Sequence, residues 1–204
     1  MITIIDYGLG NIKAFANVYK SLGVPFVLAA KAGDLDDATK IILPGVGAFD
    51  HAIDLLKSSG MKERLDEIVI KGKAPVLGIC VGMQMLASSS EEGKLHGLGW
   101  MNGTVKRIDS SSLTTRTRLP HMGWNSVEAV RQGSLFEGID TGTRFYFLHS
   151  YYFHCHNSED VVALTEYGGW FPCAVNSANV YGVQFHPEKS HQGGIRLLQN
   201  FANL

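Results

Sequence analysis

The chain has 204 residues, with 18 basic against 19 acidic side chains and a formal net charge of −1. That is enough sequence for one sizeable core, and it offers neither a basic field for nucleic acid nor a charged tail. Its three cysteines leave one unpaired in any disulfide scheme, which suits a reducing cytoplasm better than secretion; the start lacks the basic and long apolar regions of a signal peptide, and no apolar run reaches membrane-spanning length.

In chain order, residues 2–5 read as a short apolar strand. Residues 11–21 carry helical spacing, with Ile12, Phe15, Ala16, Tyr19 and Leu22 on one face. Short apolar strands follow at 26–29 and 41–43. Helical periodicity returns at 52–56 and 61–70, broken by Ser58-Ser59-Gly60. Residues 76–79 form another apolar strand. Buried runs alternating with amphipathic helices imply a parallel sheet covered on both faces. The second half changes character: 104–108, 124–127, 145–148, 161–166 and 180–185 are strand-like, with turn residues between, and predict antiparallel additions to the sheet. Ser110 to Thr117 contains six Ser or Thr in eight positions and reads as a loop. A last helix is predicted over 194–202, with Ile195, Leu198 and Phe201 on one face. The expected architecture is one α/β domain over 1–204. It has a mixed, mainly parallel central sheet flanked by helices on both faces, with antiparallel additions in the C-terminal half.

The strand at 76–79 leads into Gly78-Ile79-Cys80-Val81-Gly82. Glycines two positions either side of a reactive residue, between an apolar strand and a helical segment at 83–87, form the cysteine version of a nucleophile elbow. Such a turn holds its central residue at strained angles, and glycine removes the clashes around it. Cys80 would lie at the positive end of the following helix. A free thiol is only about 3% thiolate at pH 7, and a helix N-terminus or an imidazolium raises that fraction. A buried structural cysteine is the competing reading.

Near the C-terminus, Val183-Gln184-Phe185-His186-Pro187-Glu188 places an imidazole and a carboxylate at i and i+2, which in extended chain point the same way. A cysteine nucleophile needs a base, and the base needs an acceptor that holds its tautomer. Cys80, His186 and Glu188 supply those three roles. Alone, His-Pro-Glu would also suit a solvated turn.

The elbow followed by Gln84, together with Gln184-Phe185-His186-Pro187-Glu188, resembles the class I, triad-type glutamine amidotransferases. Five further segments carry the resemblance to the glutaminase subunits of imidazole glycerol phosphate synthase. They are Asp6-Tyr7-Gly8-Leu9-Gly10-Asn11, Leu43-Pro44-Gly45-Val46-Gly47-Ala48-Phe49, Pro120-His121-Met122-Gly123-Trp124-Asn125, Phe147-Leu148-His149-Ser150-Tyr151 and His186-Pro187-Glu188-Lys189-Ser190. The resemblance implies hydrolysis of L-glutamine to glutamate and ammonia through a Cys80 thioester, with no metal or organic cofactor. It implies delivery of the ammonia to a (β/α)8-barrel cyclase subunit in histidine biosynthesis. It also sets His149, Ser150 and Tyr151 against the substrate, mostly through backbone groups, and Asn11 and Lys189 on the surface that meets the partner.

Acyl transfer needs donors for a developing oxyanion. One is expected from the N–H of Val81, just after the nucleophile, and the second from the glycine-rich loop, at Val46 or Gly47. Gln84, one helical turn past the elbow, has an amide suited to a zwitterionic amino acid. Other motifs carry less. Gly8-Leu9-Gly10 opens a helix, but Lys13 stands where a dinucleotide fingerprint needs glycine, and the second strand ends in Ala29-Ala30-Lys31 without a convincing acid, so a tight turn explains it. His154 and His156 share a face in extended chain, yet no further metal ligands stand at suitable spacing. Two other readings stay open: a stand-alone cysteine hydrolase of related fold, and a non-catalytic regulatory subunit that binds amino acids.

Overall fold

The computed structural model describes all residues except 110, 112, 114–117 and 132, so most of the Ser/Thr-rich stretch at 110–117 lies outside the described residues. The first half alternates as its apolar periodicity requires: β1 (Ile2–Ile5), α1 (Ile12–Ser21), β2 (Phe26–Ala29), β3 (Ile41–Gly45), α2 (Phe49–Ser58), α3 (Lys62–Asp66), β4 (Val76–Cys80) and α4 (Val81–Met85). The second half holds β5 (Ser89–Ser90), β6 (Gly103–Arg107), β7 (His121–Ser126), β8 (Glu128–Ala129), β9 (Arg144–His149), β10 (Tyr151–Cys155), β11 (Val161–Glu166), β12 (Trp170–Ser177), β13 (Val180–Val183) and α5 (His191–Asn203).

The main sheet runs β2-β1-β3-β4-β13-β12-β11-β8. Its first five strands are mutually parallel, and β12, β11 and β8 continue it antiparallel. β1, β3 and β4 are buried at every position, the pattern of strands covered on both faces. The chain turns one way from β1 to β2 and the other way from β3 to β4. With right-handed crossovers this sends α1 and α2 to opposite faces and leaves a switch point at the carboxyl ends of the central strands.

Three features depart from the reading of the sequence. β6 and β10 pair in a separate three-stranded sheet with β5, and β7 pairs with β9 in a two-stranded one, so these segments do not extend the main sheet. β13 is parallel to β4, not antiparallel. β12, which the apolar pattern did not single out because Pro172 interrupts it, is the longest strand; Pro172 is accommodated opposite Leu164, beside a register irregularity.

Candidate active site

β4 and β13 lie side by side in parallel, with Val183 opposite Ile79. The two residues that follow, Cys80 and Gln184, therefore emerge together at the carboxyl edge of the sheet, and His186 comes two positions later. Segments 104 residues apart meet because of this one register.

Cys80 ends β4 at φ 56° and ψ −112°, a conformation that L residues adopt at a cost of about 1–3 kcal/mol. The neighbouring glycines make it possible. A Cβ on Gly78 would stand 2.6 Å from the Gly82 carbonyl oxygen, and one on Gly82 would collide with the Leu43 carbonyl oxygen. The elbow thus packs backbone against backbone on the end of β3. Helix α4 starts at Val81, two residues earlier than the sequence pattern suggested.

The Cys80 thiol is buried, with its Sγ 3.8 Å from the Leu148 carbonyl and 3.8 Å from Gln184 Nε2. His186 Nδ1 meets Glu188 Oε1 at 2.9 Å, and both side chains are almost wholly buried. Burial by itself would lower the His186 pKa. The nearby Cys80 and the Glu188 carboxylate bonded to Nδ1 outweigh it and hold the imidazole up at about 10. Glu188 Oε2 is buried with no hydrogen-bond partner. The turn carrying His186 is pinned at both ends: the His186 N–H donates to the Tyr146 carbonyl at 2.8 Å, and the Tyr146 N–H donates to Ser190 Oγ at 3.0 Å.

A cavity of about 300 Å³ opens at this edge, lined among others by Val46, Gly47, Cys80, Val81, Gln84 and His186. His149, Ser150 and Tyr151 complete the set named from sequence, and Glu92, Pro120 and Leu148 join it. Glu92 was not legible because its own neighbourhood is an ordinary Glu-Glu-Gly turn. It caps α2, accepting the Phe49 N–H on Oε2 at 2.9 Å, and burial raises its carboxyl pKa. Gly47 has φ +85°, with no atom within 4 Å of where a Cβ would stand. The loop before it is tied down by Tyr7, whose hydroxyl donates to the Pro44 carbonyl at 2.7 Å.

Gln84 is buried and donates from Nε2 twice, to the Tyr151 carbonyl at 2.9 Å and to Gln184 Oε1 at 3.1 Å. Its N–H groups are thus spent within the protein, which leaves only its oxygen for a bound molecule. The His149 ring also hydrogen-bonds within the protein. His149 Nδ1 donates to the Tyr151 carbonyl at 2.8 Å, and its Nε2 lies 2.9 Å from His121 Nδ1. Because a carbonyl only accepts, neutral His149 accepts on Nε2, His121 donates from Nδ1, and His121 Nε2 accepts from Asn125 Nδ2 at 3.2 Å. Burial, reinforced by neighbouring His121, pushes His149 down to about 3, and burial pushes His121 down to about 4.

Asn11 and Lys189 are exposed and lie outside the cavity. Lys189 Nζ sits 5.6 Å above the Tyr146 ring. The outer face of the β7–β9 pair carries Met122, Trp124 and Leu148, at 65%, 37% and 39% exposure. His154 and His156 face one another with ring centroids 6.1 Å apart, and among the described residues no group of three metal-ligating side chains forms.

Comparison with known proteins agrees over the full chain. The family model described as glutamine amidotransferase class-I matches residues 3–203. Imidazole glycerol phosphate synthase subunit HisH of Bdellovibrio bacteriovorus is 57% identical over 204 residues, with 100% of both chains covered. The protein of that description from Leptospira interrogans is 50% identical, again over 100% of both. Among solved structures, a glutamine amidotransferase from Thermotoga maritima shares the fold at a TM-score of 0.64 and 19% identity, over 99% of this chain and 82% of the other.

Proposed function

Because this chain belongs to the class-I glutamine amidotransferase family, and within it to the HisH subunits of imidazole glycerol phosphate synthase, we propose that Cys80, His186 and Glu188 carry its glutamine hydrolysis. The observation behind this is the convergence, on one cavity wall, of a strained cysteine and an imidazole locked to a buried carboxylate. Cys80 sulfur attacks the side-chain carboxamide carbon of L-glutamine, and the carbonyl electron pair moves onto oxygen. The His186 imidazolium gives its proton to the nitrogen as the C–N bond breaks, and ammonia leaves. Neutral His186 then takes a proton from the water that attacks the thioester, the C–S bond breaks, and glutamate departs. Glu188 holds the imidazole by Nδ1 and stabilises its cation.

The Val81 N–H, at the start of α4, and a peptide N–H of the Val46-Gly47 loop serve the oxyanion. The Glu92 carboxylate suits the α-ammonium of glutamine, backbone groups of His149, Ser150 and Tyr151 suit its α-carboxylate, and Gln84 offers Oε1. Ammonia released to solvent would be protonated and lost, so a second subunit must cover the exit. The exposed apolar face of Met122, Trp124 and Leu148, together with exposed Lys189 and Asn11, supports docking of a (β/α)8-barrel cyclase there. Three free thiols support a reducing cytoplasmic setting.

The test is Cys80→Ala reconstituted with the cyclase subunit. Synthesis driven by glutamine should vanish and synthesis driven by added ammonium salts should persist. Glutamine use above about 1% of wild type would remove Cys80 as nucleophile, given what triad members usually contribute.

A further inference from the structure

The buried amide of Gln184 has no part in the chemistry above, yet it touches the reacting atom. Its Nε2 lies 3.8 Å from Cys80 Sγ, and its side chain is fully buried. Which end of the amide faces sulfur is settled by its neighbours. The Tyr151 carbonyl can only accept, so the Gln84 atom 2.9 Å from it is nitrogen. The same Gln84 nitrogen lies 3.1 Å from Gln184, so the Gln184 atom there is oxygen. Gln184 must then turn its N–H toward Cys80. Three directed hydrogen bonds therefore link one backbone carbonyl to the nucleophile.

The sulfur has a second polar neighbour of opposite preference. The Leu148 carbonyl, 3.8 Å away, accepts from S–H and favours the neutral thiol. The Gln184 N–H favours the thiolate, because a donor strengthens as its acceptor gains charge. We propose that Gln184 is a positioning residue for the nucleophile: its amide, oriented by Gln84 and the Tyr151 carbonyl, stabilises the Cys80 thiolate, whereas the Leu148 carbonyl favours the thiol. This rests on the reading of Cys80 as nucleophile. The Tyr151 carbonyl also belongs to the segment lining the cavity, so Gln84 and Gln184 link that segment to the sulfur.

The experiment compares wild type, Gln184→Met and Gln184→Glu in the full chain. Methionine keeps the length and removes the donor. Glutamate keeps the shape and the acceptor for Gln84 but sets a carboxylate against sulfur. The rate of Cys80 alkylation by iodoacetamide is followed from pH 6.5 to 10, alongside kcat and KM for glutamine. Loss of the donor should slow alkylation by about tenfold at pH 6.5, which is about 1.4 kcal/mol, with the difference from wild type narrowing as pH rises. Gln184→Glu should be slower still at pH 6.5. In both variants kcat should fall by about tenfold with KM held within about twofold. If Gln184→Met does not fold, as judged by its melting transition, Gln184→Glu carries the test. Alkylation profiles that superimpose on wild type, or a rise in KM alone, would overturn the inference by itself. A Cys80→Ala variant that still hydrolyses glutamine would overturn the nucleophile assignment and this inference with it.

Discussion

Gly47→Ala isolates backbone conformation from packing. At φ +85° an L side chain is strained, but no atom lies within 4 Å of the new Cβ, so the substitution adds no collision. The penalty is then conformational, about 1–2 kcal/mol for a residue held in the left-handed region. If the catalytically competent loop keeps this conformation, alanine reduces its population by about 5- to 30-fold. That is less than the 10²- to 10³-fold cost of deleting an oxyanion donor outright, because alanine shifts the loop and deletes nothing. The assay is kcat and KM for glutamine hydrolysis with the cyclase subunit present, with the melting temperature as a control for folding. The expected outcome is a fall in kcat of that size with KM little changed. An unchanged kcat would refute a role for this φ in turnover, and a rise in KM alone would assign the loop to substrate positioning. Gly82→Ala provides the contrast: its Cβ meets the Leu43 carbonyl oxygen, so loss of folded protein is expected.

Glu188→Gln should retain about 10²-fold more thioester formation in single turnover than His186→Ala, since the amide oxygen still receives Nδ1–H; equal losses would show that the pair acts only as a unit. It should also melt slightly lower, because the new NH2 group replaces Oε2 at a buried point without a partner. Burial raises the Glu92 carboxyl pKa, so this group is neutralised sooner as pH falls than an ordinary carboxylate. The KM for glutamine should accordingly climb on acidification in wild type and stay high and flat in Glu92→Gln; parallel profiles would exclude Glu92 from ammonium binding. His121 and His149, held down to about 4 and 3, stay neutral in the fold while the unfolded chain takes up protons near 6.5. Stability is therefore fully present above pH 6.5 and is lost as pH falls through about 4. Their imidazole NMR signals should not titrate between pH 8 and 5, and a midpoint near 6.5 would contradict the buried network.

The local devices were legible because each is a short-range necessity. Glycines flank Cys80 since neither a Cβ at 78 nor one at 82 fits between elbow and strand. His186 and Glu188 meet at i and i+2 as the motif suggested, but through the 3-10 turn Pro187–Lys189 and not through extended chain. The alternation of buried runs and amphipathic helices announced the parallel half of the sheet. What the sequence did not determine was pairing. Nothing local says that 180–183 runs parallel beside 76–80, that 121–126 seeks 144–149 instead of the main sheet, or that an interrupted run containing Pro172 becomes the longest strand. Register is settled by contacts among distant segments, and only register brings Gln184 beside Cys80, Glu92 into the cavity wall and His121 onto His149. Gln184 and His121 stand in segments that carry the family resemblance and Glu92 stands in none, but nothing local assigns a role to any of the three; their contacts exist only once the sheet has closed.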